Sequence, residues 1–480
     1  MNGEATRPVN FASAERVGRW AARVGFVSGT VVFTLWFFSS EPALRRQTIL
    51  VALACALLSV ATIALYQRKV GGRQPFSAVA AAEFTGTEAD TARSWSNSES
   101  APLPRRIPSR RRQLWCSLVG PVGVWSLFVG LIAMAWGSPQ RPALVEQIHS
   151  AGAVFANVQV DKVSGVRFHN PSRGESYYTA TTVVQLPDLK GGEPAQATVT
   201  TKSPDRLTPG DRVSVLYAPS QPRLGAVAGD KGDLEDDLRG TTFPVRLVWL
   251  LLGGWGIGLS VIVVSVYTEQ GFRTFSRLTI NDRAIRGRVS HAAQFHEASS
   301  EPGKNASPSR SLSVETVAGH AHFLVDLTEQ DLPESVKGKQ AWLCWDGHRG
   351  TGGGRFSPRV TPAALISDQG WVMHGMLTVT EGRLLTGGST PVHKLTDAAG
   401  DGRPLRLWDP HSKWSLFVSR STLGLLVLII GGAALMTFDV ASGWRWTVGI
   451  AGPLASALLA GSFLMDSKPP QGTTPDARRV

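Results

Sequence analysis

Long uncharged apolar runs alternate along this chain with polar stretches, and each kind of stretch keeps its own period. Six runs reach or approach the roughly 18 to 20 apolar residues that cross a hydrocarbon core. They cover 24–40, 48–66, 114–136, 247–267, 421–438 and 446–465. Any one of them alone could be a buried helix of a soluble domain. Six in one chain, flanked by Arg and Trp, predict membrane helices. The first run, preceded by Arg16, Arg19 and Arg23, also has the outline of a signal peptide. No small-x-small cleavage site follows "FTLWFFSSEPAL", and a second apolar run starts at Thr48, so the pair predicts a helical hairpin.

Between the third and fourth runs the period falls to two. "VFANVQVDKV", "YYTATTVVQL", "AQATVTT" and "DRVSVLYA" read as strands, separated by the turn clusters "NPSRGE", "PDLKGGEP" and "SPDRLTPGD". A short helix near 144–153 leads in from the membrane. A second β-rich stretch follows the fourth run, with "EASSEPGKNASPSRS" looping out of it because strand-like sequence flanks it on both sides. The two β stretches share a pattern. "GDRVSVLYAP" from Gly210 sets Val213, Val215 and Tyr217 over Ala341, Leu343 and Trp345 of "GKQAWLCWDG" from Gly338. Downstream "AVAGDKG" echoes "LISDQG", and upstream "TATTVVQL" echoes "GHAHFLVDL". The second copy carries the insertion "HRGTGGGRFS", and these echoes fit either a diverged duplication or the chance likeness of short alternating strands with Gly turns.

A β domain between two membrane helices, with a Gly-Asp turn, a Val-x-Val-Leu-Tyr strand and an x-Pro-x-x-Pro turn, resembles a bacterial membrane-protein family. That family is catalogued as domain of unknown function three-five-nine-two. The resemblance covers about 140–267, and Ala218-Pro219 stands where the family often has Asp-Pro. It implies a fold and a topology and carries no catalytic residues to transfer.

Charge sets the orientation. Segment 67–113 holds Arg68, Lys69, Arg73, Arg93, Arg105, Arg106, Arg110, Arg111 and Arg112 against Glu83, Glu88, Asp90 and Glu99, which places it in the cytoplasm. Counting spans from there puts both termini and 268–413 inside and 137–242 outside. Arg273, Arg277, Arg283, Arg286 and Arg288 crowd the exit of the fourth run, as that topology requires. The net charge of +12 sits largely beside membrane helices, so topology and anionic lipid account for it and no nucleic-acid partner is expected. Within 67–113, "SWSNSESAPLPRRIPSRRR" has almost no apolar residue beyond Leu103 and Ile107 and predicts a disordered linker. None of Cys55, Cys116 and Cys344 can staple the outer domain.

Candidate chemistry is thin. His320 and His322 share a strand face in "GHAHF", and Cys344, Asp346 and His348 end the strand "CWDGH", a conceivable metal set without CxxC, HExxH or HxxE spacing. "GTGGGR" at 350–355 lacks the Lys-Ser/Thr ending and following helix of a phosphate loop. No span carries a charge at its centre, where transporters and pumps keep one. Gly254 and Gly258, Gly431 and Gly432, and Gly452 and Gly461 are expected to let helices approach closely.

The sequence thus predicts a membrane α-helical bundle of about six transmembrane helices with two small β-rich soluble modules, α+β overall. Its parts are a cytoplasmic segment 1–23, a hairpin 24–66, a disordered basic linker 67–113, a helix 114–136 and an extracytoplasmic β domain 137–242. A helix 243–267, a cytoplasmic β-rich domain 268–413 with a flexible loop near 297–311, a hairpin 414–465 and a cytoplasmic tail 466–480 complete it. The expected protein is multi-pass in a bacterial inner membrane and non-enzymatic, with no catalytic, cofactor or metal residues. Its partners are the bilayer and other membrane or envelope proteins. A transporter or channel accessory subunit is the alternative, and a metal-dependent hydrolase in the cytoplasmic domain the second.

Overall fold

The computed structural model describes residues 11–76, 78–82, 103–170, 176–187, 195–296, 309–325, 336–349, 359–395, 405–438 and 442–465. The long helices are α1 (Phe11–Phe38), α2 (Pro42–Lys69), α3 (Arg111–Trp136), α6 (Val245–Glu269), α8 (Arg420–Met436) and α9 (Ser442–Met465). Among the described residues, Ala12–Phe38, Pro42–Lys69, Arg111–Trp136 and Arg246–Glu269 are long and apolar enough to cross a bilayer. A fifth span arises if the short helix Pro410–Leu416 and α8, bent by 69°, count together. Helix α1 is already formed at Phe11, well before the apolar run. Its basic first turns pack on Pro410–Leu416: Gly18 lies against Trp414, and Ser415 Oγ donates to Ala14 O at 2.9 Å.

Close helix contacts occur where small residues permit them. Gly258 of α6 lies under Trp125 of α3, whose Nε1 donates to Trp255 O at 3.1 Å, while Gly452 meets Leu131 and Gly432 meets Val448. Gly254 and Gly431, expected to share that role, have nothing among the described residues within 4 Å of where a Cβ would sit, and Gly461 falls outside the described side chains. Each of those two pairs therefore turns one glycine inward and leaves the other on the outer surface of the bundle.

The first β module joins α3 to α6. Helix α4 (Ala143–Ser150) leads into β1 (Val154–His169), β2 (Tyr177–Leu186), β3 (Ala195–Ser203), β4 (Arg212–Tyr217) and β5 (Ala226–Ala228), in the order β3-β2-β1-β4-β5. Val158, Val184, Val199 and Val215 point into its core. Helix α5 (Lys231–Arg239) closes the module. Its Asp230 cap accepts from Gly232 N, and Gly240 ends it at φ +71, a left-handed stop that favours glycine.

The second module follows α6. Its strands are β6 (Asp282–His296), β7 (Ser309–Thr316), β8 (Gly319–Leu324), β9 (Gln340–Asp346), β10 (Val360–Ser367) and β11 (Trp371–Thr378). They run β10-β9-β6-β7-β8-β11, and β10 also pairs with β11, which closes a barrel. Strands β6 and β7 pair up to His296 and Ser309, so the predicted loop does leave and re-enter one sheet, its residues 297–308 lying outside the described residues. Leu343, Trp345, Phe323 and Leu365 fill the interior. Helix α7 (Val379–Leu385), capped by Thr378 Oγ1 accepting from Glu381 N at 3.2 Å, packs on the barrel with Leu385 in the same core.

The first five strands of the two modules follow one plan. The order β8-β7-β6-β9-β10 repeats β3-β2-β1-β4-β5. In the first, Gly210 N donates to Val160 O and Val160 N to Asp211 O, both at 2.8 Å; in the second, Gly338 N donates to Val289 O at 2.8 Å and Val289 N to Lys339 O at 3.1 Å. Both glycines have positive φ, +102 and +82. Immediately afterwards each long strand bulges, between Val160 and Lys162 and between Val289 and His291. The pairing of Val215 with Leu343 and Tyr217 with Trp345 holds, all four being buried. One echo is corrected: "TATTVVQL" lies in β2, whereas "GHAHFL" is β8, the counterpart of β3. Alternation with period two marks a strand without saying which neighbour it has.

A second correction concerns the linker. Residues 83–102 lie outside the described residues, but 103–110 form a strap packed on the second barrel rather than free chain. Leu103 and Ile107 are 2% and 5% exposed and join Phe275, Cys344, Ala364 and Val372 in a cluster on the barrel's outer face. Ile107 N donates to Ser276 O and Arg110 N to Thr274 O. Two apolar residues in a basic Ser/Pro context suffice when a barrel face is there to receive them.

Candidate functional site

The metal set suggested by the sequence does not assemble. His320 and His322 stand on the outer face of β8, Cys344 is buried under the strap on β9, and β7 and β6 run between those two strands. His348 is exposed, with its backbone N–H on Asp346 Oδ1. No three His, Cys, Asp or Glu side chains gather to hold a metal among the described residues. His322 Nδ1 instead lies 2.7 Å from Glu381 Oε1, which also accepts from His322 N at 3.1 Å and fastens α7 to β8. The glycine run 350–355 lies outside the described residues.

Polar side chains converge elsewhere, at the two ends of the bundle. At one end Arg45, 1% exposed near the start of α2, donates to Ser39 O at 2.9 Å, Gly240 O at 3.0 Å and Pro139 O at 2.7 Å. Its guanidinium lies 5.7 Å from the centre of the Trp36 ring. One side chain thus ties the tip of the α1–α2 hairpin to both stalks of the first module. Thr242 Oγ1 adds a 2.6 Å bond to Trp36 O. Arg445 of α9 reaches Met134 O and Gly137 O from the other side.

At the opposite end two guanidiniums gather on carbonyls of the last turn of α6 and of the residues just after it, Tyr267 O among them although it also accepts from Gly271 N at 3.0 Å. Arg349 Nη2 donates to Tyr267 O at 2.8 Å and Thr268 O at 2.9 Å; Arg110 Nη2 donates to Gln270 O at 2.9 Å and Gly271 O at 3.3 Å. Arg349 comes from the end of the β9 turn and Arg110 from the strap, so barrel and strap both grip the helix. Burial, followed by repulsion from Arg349 and Arg273, pushes Arg110 down to about 10. Burial likewise lowers Arg349.

Beside them Arg273 makes a two-pronged bond to Asp282, at 2.5 and 2.6 Å, and lies 3.0 Å from Asp346. Burial pulls the Arg273 guanidinium down, yet the bonds and charges of Asp282 and Asp346 outweigh it and hold it above its ordinary value. Asp282, fully buried, also accepts from Thr279 N at 2.6 Å. The connecting chain turns at Phe275, whose φ of +51 is the sole positive value of a non-glycine residue among the described residues. Such a backbone costs about 1 to 3 kcal/mol and persists where surroundings enforce it. Here the enforcement is the Arg273 guanidinium 4.7 Å over the Phe275 ring and the strap beneath it. His374, 5% exposed, completes the joint by donating from Nε2 to Pro108 O at 2.6 Å; burial lowers it to about 4, with Arg110 adding to the effect, so it is neutral at ordinary pH.

These joints hold main chain to main chain through cations; what they can do is keep each module at a fixed angle to the helices. Sequence reading missed them. It counted Arg110 among linker charges and left Arg45 and Arg349 unassigned, and only the position of Arg45 at the head of an apolar run hinted at use. No protein-family model matches the chain, and no curated protein or solved structure matches it either.

Proposed function

We infer that the protein is a non-enzymatic polytopic membrane protein that works as a transmembrane interaction or sensing scaffold. In this reading six helices cross a bacterial inner membrane, both termini and the second module are cytoplasmic, and the first module faces outward, as the resemblance to the family of unknown function implies. Partners are other membrane or envelope proteins that engage the modules. The observation that carries the reading is the pair of joints. Two modules of one strand plan are fastened to opposite ends of α6, one through Arg45 on Gly240 O and one through Arg110 and Arg349 on the carbonyls from Tyr267 to Gly271. A displacement at one module is then passed along a single helix to the other rather than absorbed in a slack linker.

Double electron–electron resonance on the full chain in nanodiscs tests this. Labels go at Ser150→Cys and Ile280→Cys, both exposed, in a background with Cys55 and Cys116 changed to Ser; Cys344 is buried and stays. One narrow distance distribution is expected, broadened by Arg349→Ala. A broad distribution in the unaltered joints defeats the scaffold reading.

A further inference from the structure

A cleft of about 410 Å³ lies where the α1–α2 tip meets helices α4 and α5 of the first module. Ser40, Glu41, Arg141, His149 and Arg239 line it. Its size suits a small ligand. Its charges are arranged by sign. Arg141, with a side chain only 5% exposed, spends Nε on Leu238 O at 3.0 Å and Nη1 on Glu146 at 3.0 Å. Its Nη2 has, among the described residues, only long contacts, 3.5 Å to Arg239 O and 3.7 Å to Glu41 Oε1. An N–H group at such distances keeps donor capacity for a better acceptor. Arg239, 63% exposed and paired with Glu235 only at 3.8 Å, adds a second guanidinium, and the Glu41 carboxylate, 66% exposed, offers an acceptor for a cation.

We propose that this cleft binds the zwitterionic headgroup of an aminophospholipid of the phosphatidylethanolamine class. The phosphate accepts from Arg141 Nη2 and from Arg239, for which the planar guanidinium is well suited. The primary ammonium, two carbons away, donates to Glu41. Laid against the Glu41–Arg141 pair, the headgroup dipole runs antiparallel to the protein's, so each charge meets its opposite. A simple anion would meet the same two guanidiniums but leave the Glu41 carboxylate as a repulsive neighbour with no cation to accept from. A quaternary ammonium has no N–H to give. The lipid, rather than a free zwitterion, is the expected source because Phe38 and Leu44, on either side of Ser40 and Glu41 in the chain, are 64% and 61% exposed at this end of the apolar helices and offer surface for acyl chains. The site rests on the membrane reading and is independent of which module faces outward.

Native mass spectrometry of the detergent-solubilised full chain, reloaded with an equimolar mixture of phosphatidylethanolamine, phosphatidylcholine and phosphatidylglycerol, decides the matter. The wild type is expected to retain the ethanolamine lipid at least threefold over the other two. Glu41→Gln should bring it down to the choline lipid's level, and Arg239→Gln should lower retention of all three. Both side chains are exposed, and unchanged thermal melting of the variants separates lost binding from lost folding. Equal retention by the wild type, or an ethanolamine preference that survives Glu41→Gln, overturns the proposal. Displacement of the lipid by phosphoethanolamine at equimolar concentration, which would mean that the acyl chains add nothing to binding, overturns the lipid source while leaving the headgroup chemistry standing.

Discussion

Replacing Ile107 by Ala should release the strap from the second barrel without unfolding the barrel. Ile107 is 5% exposed among Phe275, Leu278 and Cys344, and it lies on a segment that crosses the outer face rather than filling the interior. Truncating a buried Ile to Ala costs about 2 to 5 kcal/mol, and about 3 suits a site at the edge of a cluster. Because Leu103 and the bonds to Ser276 and Thr274 remain, that cost is paid in the docking equilibrium of the strap, and 3 kcal/mol corresponds to roughly 150-fold more of the undocked form. The Arg106–Ile107 bond is a trypsin site that can enter the protease only when undocked, so its cleavage rate follows that population when reclosing is fast. The assay is limited trypsin digestion of the full chain in detergent, reading by mass the fragment that ends at Arg106. Ile107→Val, costing about 1 kcal/mol, should accelerate the cut roughly fivefold. A rate for Ile107→Ala within threefold of wild type would refute docking through this side chain.

Gly210→Ala and Gly338→Ala should each destabilise their own module by about 1 to 2 kcal/mol, since both positions need the left-handed backbone; thermal melts in which only one variant loses stability would break the equivalence of the two turns. His374 has a folded value of about 4 against an ordinary 6.5. The unfolded chain therefore binds the proton first, and about 3 kcal/mol of stability present above pH 6.5 should drain away as pH falls towards 4; His374→Gln, which keeps a donor for Pro108 O, should flatten that part of the stability–pH curve, and an unchanged slope counts against it. A membrane-impermeant maleimide should label Ser164→Cys in intact spheroplasts but Val317→Cys only after lysis, with Cys55 and Cys116 changed to Ser; both positions are exposed, and equal labelling would defeat the topology.

Much of the architecture could be read from the chain because membrane helices and strands announce themselves by period and length. The runs around Val60, Leu131 and Val261 became helices, and four strands of the first module emerged where β-branched residues alternate. Helix ends were harder. The part of α1 that precedes the apolar run packs through Ala14 and Gly18 on Ser415 and Trp414, about 400 residues away in the chain. Helix α5 was overlooked although its sequence carries an Asp cap at Asp230 and a Gly stop at Gly240, because a nine-residue acidic helix has too little apolar character to stand out against a loop.

The joints could not be read in the same way, and the reason is chemical. A metal or catalytic site is built from side chains that select one another, so its spacing leaves a motif. At the joints the fastening arginines select main-chain carbonyls: Arg45 takes those of Ser39, Pro139 and Gly240, Arg110 those of Gln270 and Gly271, and Arg349 those of Tyr267 and Thr268. Carbonyls are present at every residue, so nothing in the partner's sequence marks the choice. What remains legible is only the arginine's own anomaly, a cation at the mouth of an apolar run where the positive-inside pattern already supplies an innocent reason for it. For Arg110, buried among Arg273 and Arg349, that reason fails. A charge that served orientation alone would stay in water, whereas this one is held beside two others against its own repulsion, which is the behaviour of a fastening.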